Sequence, residues 1–523
     1  MYKYIRLFAA FIFLFTAISS CTKNLDRRPS VGTYVDSVYS SAEGYKIQLA
    51  KVYSAFALTG KDGPSSSDLG GIDAGTSDFL RLYWNAQQLT TDESICAWND
   101  PGVPDFHNMN WTSGNVILNG LYNRCLYQIV VANSFLKECA PDKVSGRGIS
   151  DADNATIQVY AAEARFLRAF QYSVLMDLFG NPPFITEADP IGSFLPSQIS
   201  RSDLFTYVES ELTSIESLLL DARTNEYGRA DKAACQSLLA RVYLNAETYT
   251  GTERYADALN YSQKVLDAGY QLLPSYRELF LADNNIGNTE AILSINFDVQ
   301  FTQNYGGTTF LVNSAINGDM DPTSFGVPNG GWGGNRSTEK LPFQFADISG
   351  TTDSRASFFG TKPEIDDVSK FTDGLRVTKF RNVNKDGSLP TNAGTFCSVD
   401  FPLFRLGEMY LIHAESILRT GGNTTDAVND INMLRNRAYG NVNGNITSVS
   451  LDDILNERSR ELYWEGFRRT DLIRFDKFTG SNYLWPWKGG IKDGTGVDDH
   501  FQIFPIPSTD LIANPNLKQN TGY

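Results

Sequence analysis

Two stretches of this chain share one grammar. LLARVYLNAETYTGTERYADALNYSQKVLDAG (Leu238–Gly269) and RLGEMYLIHAESILRTGGNTTDAVNDINMLRNRA (Arg405–Ala438) each set small and apolar residues at helical spacing, break, and run into a second helix containing alanine. Tyr243-Leu244 corresponds to Tyr410-Leu411, and Ala258 to Ala427. EARFLRAFQYSVLMDLFG (Glu163–Gly180), with a helix over 202–220 behind it, is a third and looser copy. Helix pairs with a period of about 34 residues cannot bury their apolar faces alone, so they stack into a scaffold with a concave surface. That constraint comes before any other.

These pairs resemble tetratricopeptide units, although ordinary helical hairpins would give the same periodicity. Helical spacing extends further, over 43–58, 115–139, 155–179, 231–247, 254–268, 404–419, 424–438 and 451–467. Between these segments lie stretches rich in Gly, Asn, Asp, Pro and aromatics, chiefly 60–112 and 284–400. The second is too long for a structureless loop in a compact domain, so it predicts short strands, for instance at AILSINF (Ala291–Phe297). Function belongs more naturally to these irregular parts than to the helices.

The first twenty residues read as a leader. Lys3 and Arg6 precede an uncharged run of twelve residues, Leu7 to Ile18. Twelve residues are too few for a hydrocarbon core that needs about 20. Ile18-Ser19-Ser20-Cys21 resembles a bacterial lipobox, which predicts a mature chain tethered by lipid at Cys21 and otherwise soluble. Of the other cysteines, Cys96, Cys125, Cys139, Cys235 and Cys397, none forms a C-x-x-C pair. They read mostly as small buried apolar residues, with disulfides open but not the framework.

The formal net charge of −15 opposes a nucleic-acid partner, which wants a basic footprint. Catalysis has little to stand on. His107, His413 and His500 are remote from one another, and His413, mid-helix in MYLIHAES, reads as a packed core histidine. No metalloprotease, nucleophile-elbow, Walker or paired-cysteine motif is present. Glu457, Glu461 and Glu465 recur every four residues among arginines in ILNERSRELYWEGFRRTDLIRFDKF. Structural ion pairs, each exposed one contributing about 0.3–0.5 kcal/mol, explain them better than a reaction does. Calcium binding stays open given the many Asp and Asn, without EF-type spacing to locate it. No cofactor or catalytic residue is implied.

Aromatics on the irregular stretches carry more. RLYWNAQQLTTDESICAWNDPG (Arg81–Gly102) holds Trp84 and Trp98 beside Asn99 and Asp100. TQNYGGTTF offers Tyr305 before two glycines, and GVPNGGWGGNR (Gly326–Arg336) offers Trp332 with Asn335 and Arg336. The last loop lacks the Gly-Lys-Ser/Thr ending of a phosphate loop. A sugar has one apolar C–H face and a rim of hydroxyls, which an aromatic plate and Asn or Arg side chains would complement. Trp84, in an apolar context, reads as core. Trp98 and Trp332 stand among polar and glycine residues, where ligand binding and loop packing are both open.

Six ordered stretches resemble one family. They are the lipid cysteine with Leu25-Asp26 and Pro29, EARFLRAFQYSVLMDLFGNPPFIT, GRADKAACQSLLARVYLNA, FPLFRLGEMYLIHAESILRTGG, ERSRELYWEGFRRTDLIRF and FPIPSTDLIANPNLKQNTGY. The family is the SusD/RagB outer-membrane nutrient-binding lipoproteins, and the resemblance runs from Cys21 to Tyr523. Thr521 stands where the final motif usually has proline, and no acidic cluster follows Cys21. The resemblance implies a mainly α fold in one domain over 21–523. About four tetratricopeptide-like helix pairs would form an α-solenoid, joined to an irregular, loop-rich ligand-binding part with short strands. It further implies a non-enzymatic protein on the cell exterior that binds oligosaccharide and delivers it to a SusC-like TonB-dependent barrel. Trp98, Tyr305 and Trp332 would form the binding arc, with Asn99, Arg81 and Asn335 as hydrogen-bonding neighbours. A peptide-capturing member of the family, or a surface glycoside hydrolase, are the alternatives.

Overall fold

The structure, a computed structural model, describes residues 35–190, 192 and 194–523. The leader, Cys21, Leu25, Asp26 and Pro29 lie outside the described residues. The principal helices in chain order are α1 (Ala42–Ser54), α2 (Phe79–Gln88), α3 (Val116–Glu138), α4 (Asp151–Phe179), α5 (Arg201–Ile215) and α6 (Lys232–Leu244). Then come α7 (Tyr255–Leu266), α8 (Gly307–Ser314), α9 (Leu406–Arg419), α10 (Thr424–Tyr439), α11 (Leu451–Leu462) and α12 (Arg468–Arg474).

Local chemistry sets many of these boundaries. Asn115, Ser150, Ser200 and Asp231 stand before α3, α4, α5 and α6, and each side chain accepts a hydrogen bond from a first-turn N–H. Ser450 and Asp453 close a reciprocal capping box on α11. Eight helices (α1, α3 to α7, α9 and α10) then pack in succession. Helix α4 lies against α1, α3 and α5, α7 bridges α6 and α9, and α10 packs on α9. The expected helix pairs are thus stacked into one scaffold.

Some expected boundaries move. The segment expected as helix from 404 begins at Leu406, because Phe401–Arg405 forms a strand antiparallel to Ala291–Ile295, with a bulge. The helix expected over 451–467 stops at Leu462, and Trp464 follows in the left-handed region (φ 64°). Both irregular regions contain a helix that periodicity missed, α2 and α8. Every residue of α2 except Arg81 is buried, and so is all of α8. A helix covered on all sides, as α8 is, shows no amphipathic stripe, and α2 is only ten residues long.

One large hydrophobic cluster takes residues from Tyr45 through Leu517, so scaffold helices and irregular loops share a core. Trp84 is fully buried in it, its indole N–H donating to the Trp464 carbonyl at 3.1 Å. All five described cysteines are buried and free. No described helix is long and apolar enough to cross a membrane.

The glutamates of the 454–478 stretch are buried rather than exposed, which corrects the weight given to their pairs. Glu461 accepts from Arg405 Nη1 at 2.6 Å, Arg437 Nη2 at 2.5 Å and Arg355 Nη1 at 3.2 Å. Glu457 accepts from Arg355 and Arg435, and Glu465 from Arg405 and Lys379. Burial pushes Glu457 upward, but Arg355, Arg460 and Arg435 outweigh it and hold the carboxyl at about 2. These charges clamp α11 onto the loop segments and β-strands around it.

Candidate ligand-binding site

The two irregular regions are joined by a ladder of two residues. Strand Ile95–Cys96 pairs antiparallel with strand Asn335–Arg336, Ile95 opposite Arg336 and Cys96 opposite Asn335. The Ala97 N–H extends the ladder by donating to the Gly334 carbonyl at 2.8 Å. One residue further, the Trp98 indole N–H donates to the Gly333 carbonyl at 3.0 Å. Trp332 is the neighbour of Gly333, so Trp98 and Trp332 are mounted on the same short piece of backbone. The Trp332 N–H in turn donates to the Asn313 carbonyl at the end of α8, at 2.7 Å.

Glycine in the 326–336 loop serves close approach. A Cβ on Gly334 would lie 2.4 Å from Cε2 of Trp98, and one on Gly331 would lie 2.0 Å from the Ile316 carbonyl oxygen. The loop presses on its neighbours at both points.

Tyr305 completes the group from the segment before α8. Its ring centroid is 6.3 Å from that of Trp332, with the planes inclined at 46°. Asp78 Oδ1 accepts from both the Arg81 and Gly307 N–H groups, at 2.9 and 2.7 Å, and so ties the start of α2 to that of α8. Phe396, which sequence reasoning did not single out, lies beyond Tyr305 at 5.3 Å and 52°. Its only signal was an aromatic after Gly-Thr in the same irregular region. Asn313 holds this end too, donating through Nδ2 to the Thr395 carbonyl at 2.9 Å.

The predicted aromatics therefore come together, Trp98 and Trp332 half-buried and Tyr305 exposed. Their polar neighbours divide. Asn99 is exposed at the edge. Arg81 lies behind the arc, its guanidinium 4.7 Å from the Phe310 ring and 5.8 Å from that of Trp98, with Nη1 donating to the Tyr305 carbonyl at 3.4 Å. Burial lowers its pKa. Asn335 does not stand at a ligand rim. It is fully buried, a consequence of its place in the ladder, and its amide donates to Ser314 Oγ at 2.9 Å.

Arg336 is also fully buried. It donates to the carbonyls of Asp373, Gly334 and Val368, and burial pushes it down to about 10. It fastens the 366–373 segment to the ladder and is not available to a ligand. His107 is pushed down to about 4, mainly by burial and then by the Arg336 charge, so it is neutral near pH 7. Among the described residues no cluster of His, Cys, Asp and Glu is suited to a metal ion. A cavity of about 320 Å³ beneath α1, lined by Leu49, Tyr53, Phe56, Tyr227 and Leu293, contains none of the arc's residues.

Two family models match the chain. One described as the SusD family matches residues 352–523, and one described as starch-binding associating with outer membrane matches 79–244. The starch-binding protein SusD of Bacteroides thetaiotaomicron is 35% identical, over 100% of this chain and 99% of that protein. A SusD-like protein of Formosa agariphila is 26% identical over 73% of this chain and 78% of its own length.

Solved structures share the fold. A SusD homologue from Bacteroides thetaiotaomicron superposes with a TM-score of 0.71 at 18% identity, covering 94% of this chain and 99% of that one. Surface glycan-binding protein A from the same organism, in complex with laminarihexaose, gives 0.68 at 19% identity, covering 91% and 99%. With a curated relative matched over its whole length and stacked helix pairs carrying the same architecture, this chain belongs to the SusD family.

Proposed function

We propose that the protein binds oligosaccharide or polysaccharide on the arc of Trp98, Tyr305, Trp332 and Phe396. The observation that carries this reading is the ladder that mounts Trp98 and Trp332 on one backbone segment, with Tyr305 inclined beside them. A series of rings inclined at 46° and 52° offers successive plates to a glycan that curves, while exposed Asn99 supplies a polar edge. The relative named for starch binding makes an α-glucan the first ligand to try, and the neighbour bound to laminarihexaose makes a β-glucan the second.

The wider setting follows the family. Residues 21–523 act as one domain, anchored to the outer membrane by lipid on Cys21 and facing outward. The protein passes its glycan to a SusC-like TonB-dependent barrel and carries out no hydrolysis itself.

Calorimetry with maltoheptaose and laminarihexaose, and affinity gels with the parent polysaccharides, test the binding. Saturable binding that weakens in Trp332→Ala supports the reading. No binding to any glycan, peptide ligands co-purifying with the native complex, or reducing ends released by the pure protein would overturn it. Cys21→Ala should release the protein from membranes.

A further inference from the structure

Trp487 stands apart from the other tryptophans. Six of the seven have a ring or cation packed against them. Trp84 and Trp464 face each other, Trp98 faces Phe310, Trp111 faces Phe504, Trp332 faces Tyr305 and Trp485 faces Tyr483. No ring or cation lies on Trp487 among the described residues, and it neither joins nor packs against either hydrophobic cluster. Core packing does not explain it.

Its backbone makes the choice of residue stranger. Trp487 has φ 69° and ψ 6°, a left-handed conformation suited to glycine and unfavourable for a bulky side chain. Trp464 shares that conformation, but is buried against Trp84 at a centroid distance of 5.0 Å, where packing offsets the strain. At Trp487 no ring packing does.

What fixes Trp487 is its edges. The indole N–H donates to the Ile365 carbonyl at 3.1 Å, the same kind of anchorage that Trp98 has on Gly333. The backbone N–H donates to the Lys492 carbonyl at 3.1 Å, closing a turn through Gly489 and Gly490. Beside the turn runs a charged row, exposed at Lys492, Asp366 and Lys362 and half-buried at Asp373. Lys492 pairs with Asp366 at 2.6 Å, Asp366 pairs with Lys362, and Lys362 lies 3.2 Å from Asp373. An indole held by its edges, half-buried and next to exposed hydroxyl-binding groups, is built as a plate.

One chain segment links the plate to the ladder that carries the arc. Segment 362–373 meets Trp487 through Ile365 and meets the ladder through Val368 and Asp373, both held by Arg336. We infer that Trp487, with the Asp366–Lys492 row at its edge, is a second carbohydrate contact that engages a polysaccharide extending past the arc. This rests on the glycan reading of the arc for its ligand class. Two contacts on one chain raise the effective concentration of the second, so the gain appears only with ligands long enough to reach both.

The test is Trp487→Gly, because glycine takes the left-handed conformation without strain, and thermal melting checks that the fold persists without the hydrogen bond to Ile365. With amylopectin or laminarin immobilised in affinity gels, the variant should bind about tenfold more weakly than wild type. Maltoheptaose or laminarihexaose affinity by calorimetry should stay within about twofold, and Trp487→Phe should recover part of the polysaccharide affinity. Equal retention of Trp487→Gly and wild type on polysaccharide overturns the inference while leaving the arc intact. An equal loss for short and long ligands overturns it as well, since Trp487 would then act through the arc. Wild type binding no glycan at all removes the arc reading and this one together, whereas a silent Trp332→Ala beside a weakened Trp487→Gly removes only the arc.

Discussion

Trp98 donates its indole proton to the carbonyl of Gly333, the residue that follows Trp332, although the two loops are 235 positions apart. The relative placement of the two indoles is therefore set by main-chain geometry and not by the packing of one ring on the other.

Removing either ring should weaken glycan binding without unfolding the protein. Trp332→Ala should lower affinity about tenfold, equivalent to about 1.4 kcal/mol. Trp98→Ala should do the same and also free the Gly333 carbonyl. Calorimetry with the best short oligosaccharide measures both, and thermal melting checks that the fold persists.

Two glycines of the 326–336 loop should fail differently when changed to alanine. The new methyl in Gly334→Ala would collide with the Trp98 ring, which can tilt, so affinity should fall with little loss of stability. In Gly331→Ala the collision is with the backbone carbonyl of Ile316, and overpacking of this kind costs about 1–3 kcal/mol. Denaturant titration alongside glycan binding separates the two.

Stability should depend on pH through Glu93, which lies two residues before the ladder. Burial raises its carboxyl to about 8 against the opposing pull of Arg468. The folded protein then holds a proton that the unfolded chain gives up above its ordinary value of 4.5. This contribution is fully present below pH 4.5 and is lost as pH rises through about 8. Asp400, raised to about 7 by burial, adds a contribution of the same sign. Glu93→Gln should flatten the fall of melting temperature with rising pH in that window.

Breaking the buried charge cluster should be severe. Glu461→Ala removes the carboxylate that pairs with Arg405, Arg437 and Arg355 together, leaving Glu290, Glu465, Asp353 and Glu457 to hold three buried cations, and losing one partner of a buried pair costs about 3–5 kcal/mol. Chemical denaturation measures it. Native-like stability would mean that water replaces the carboxylate.

Helices with one apolar face were legible because their spacing declares which side is covered. Helix α8 was not, since burial on all sides erases that contrast, and α2 was missed because its ten residues end in a buried polar run, Asn85 to Gln88, that reads as loop. Trp98, Tyr305 and Trp332 could be picked out by their polar and glycine-rich surroundings, whereas Phe396 could not. Asn335 could not be placed, because a residue inside a two-residue strand pairing has the same composition around it as one at a loop tip. Trp487 had a signal in its neighbours, two glycines after a Trp-Pro-Trp run, but its backbone angles and its lack of ring contacts, which only the structure shows, separate it from Trp485.

The five buried cysteines have a consequence for handling the protein. Burial raises the pKa of every one, Cys96 and Cys139 to about 12, so none offers the thiolate that oxidants and metals attack. Over residues 35–523 the fold should form alike in reducing and oxidising compartments. Alkylating reagents should label the chain there only after it unfolds.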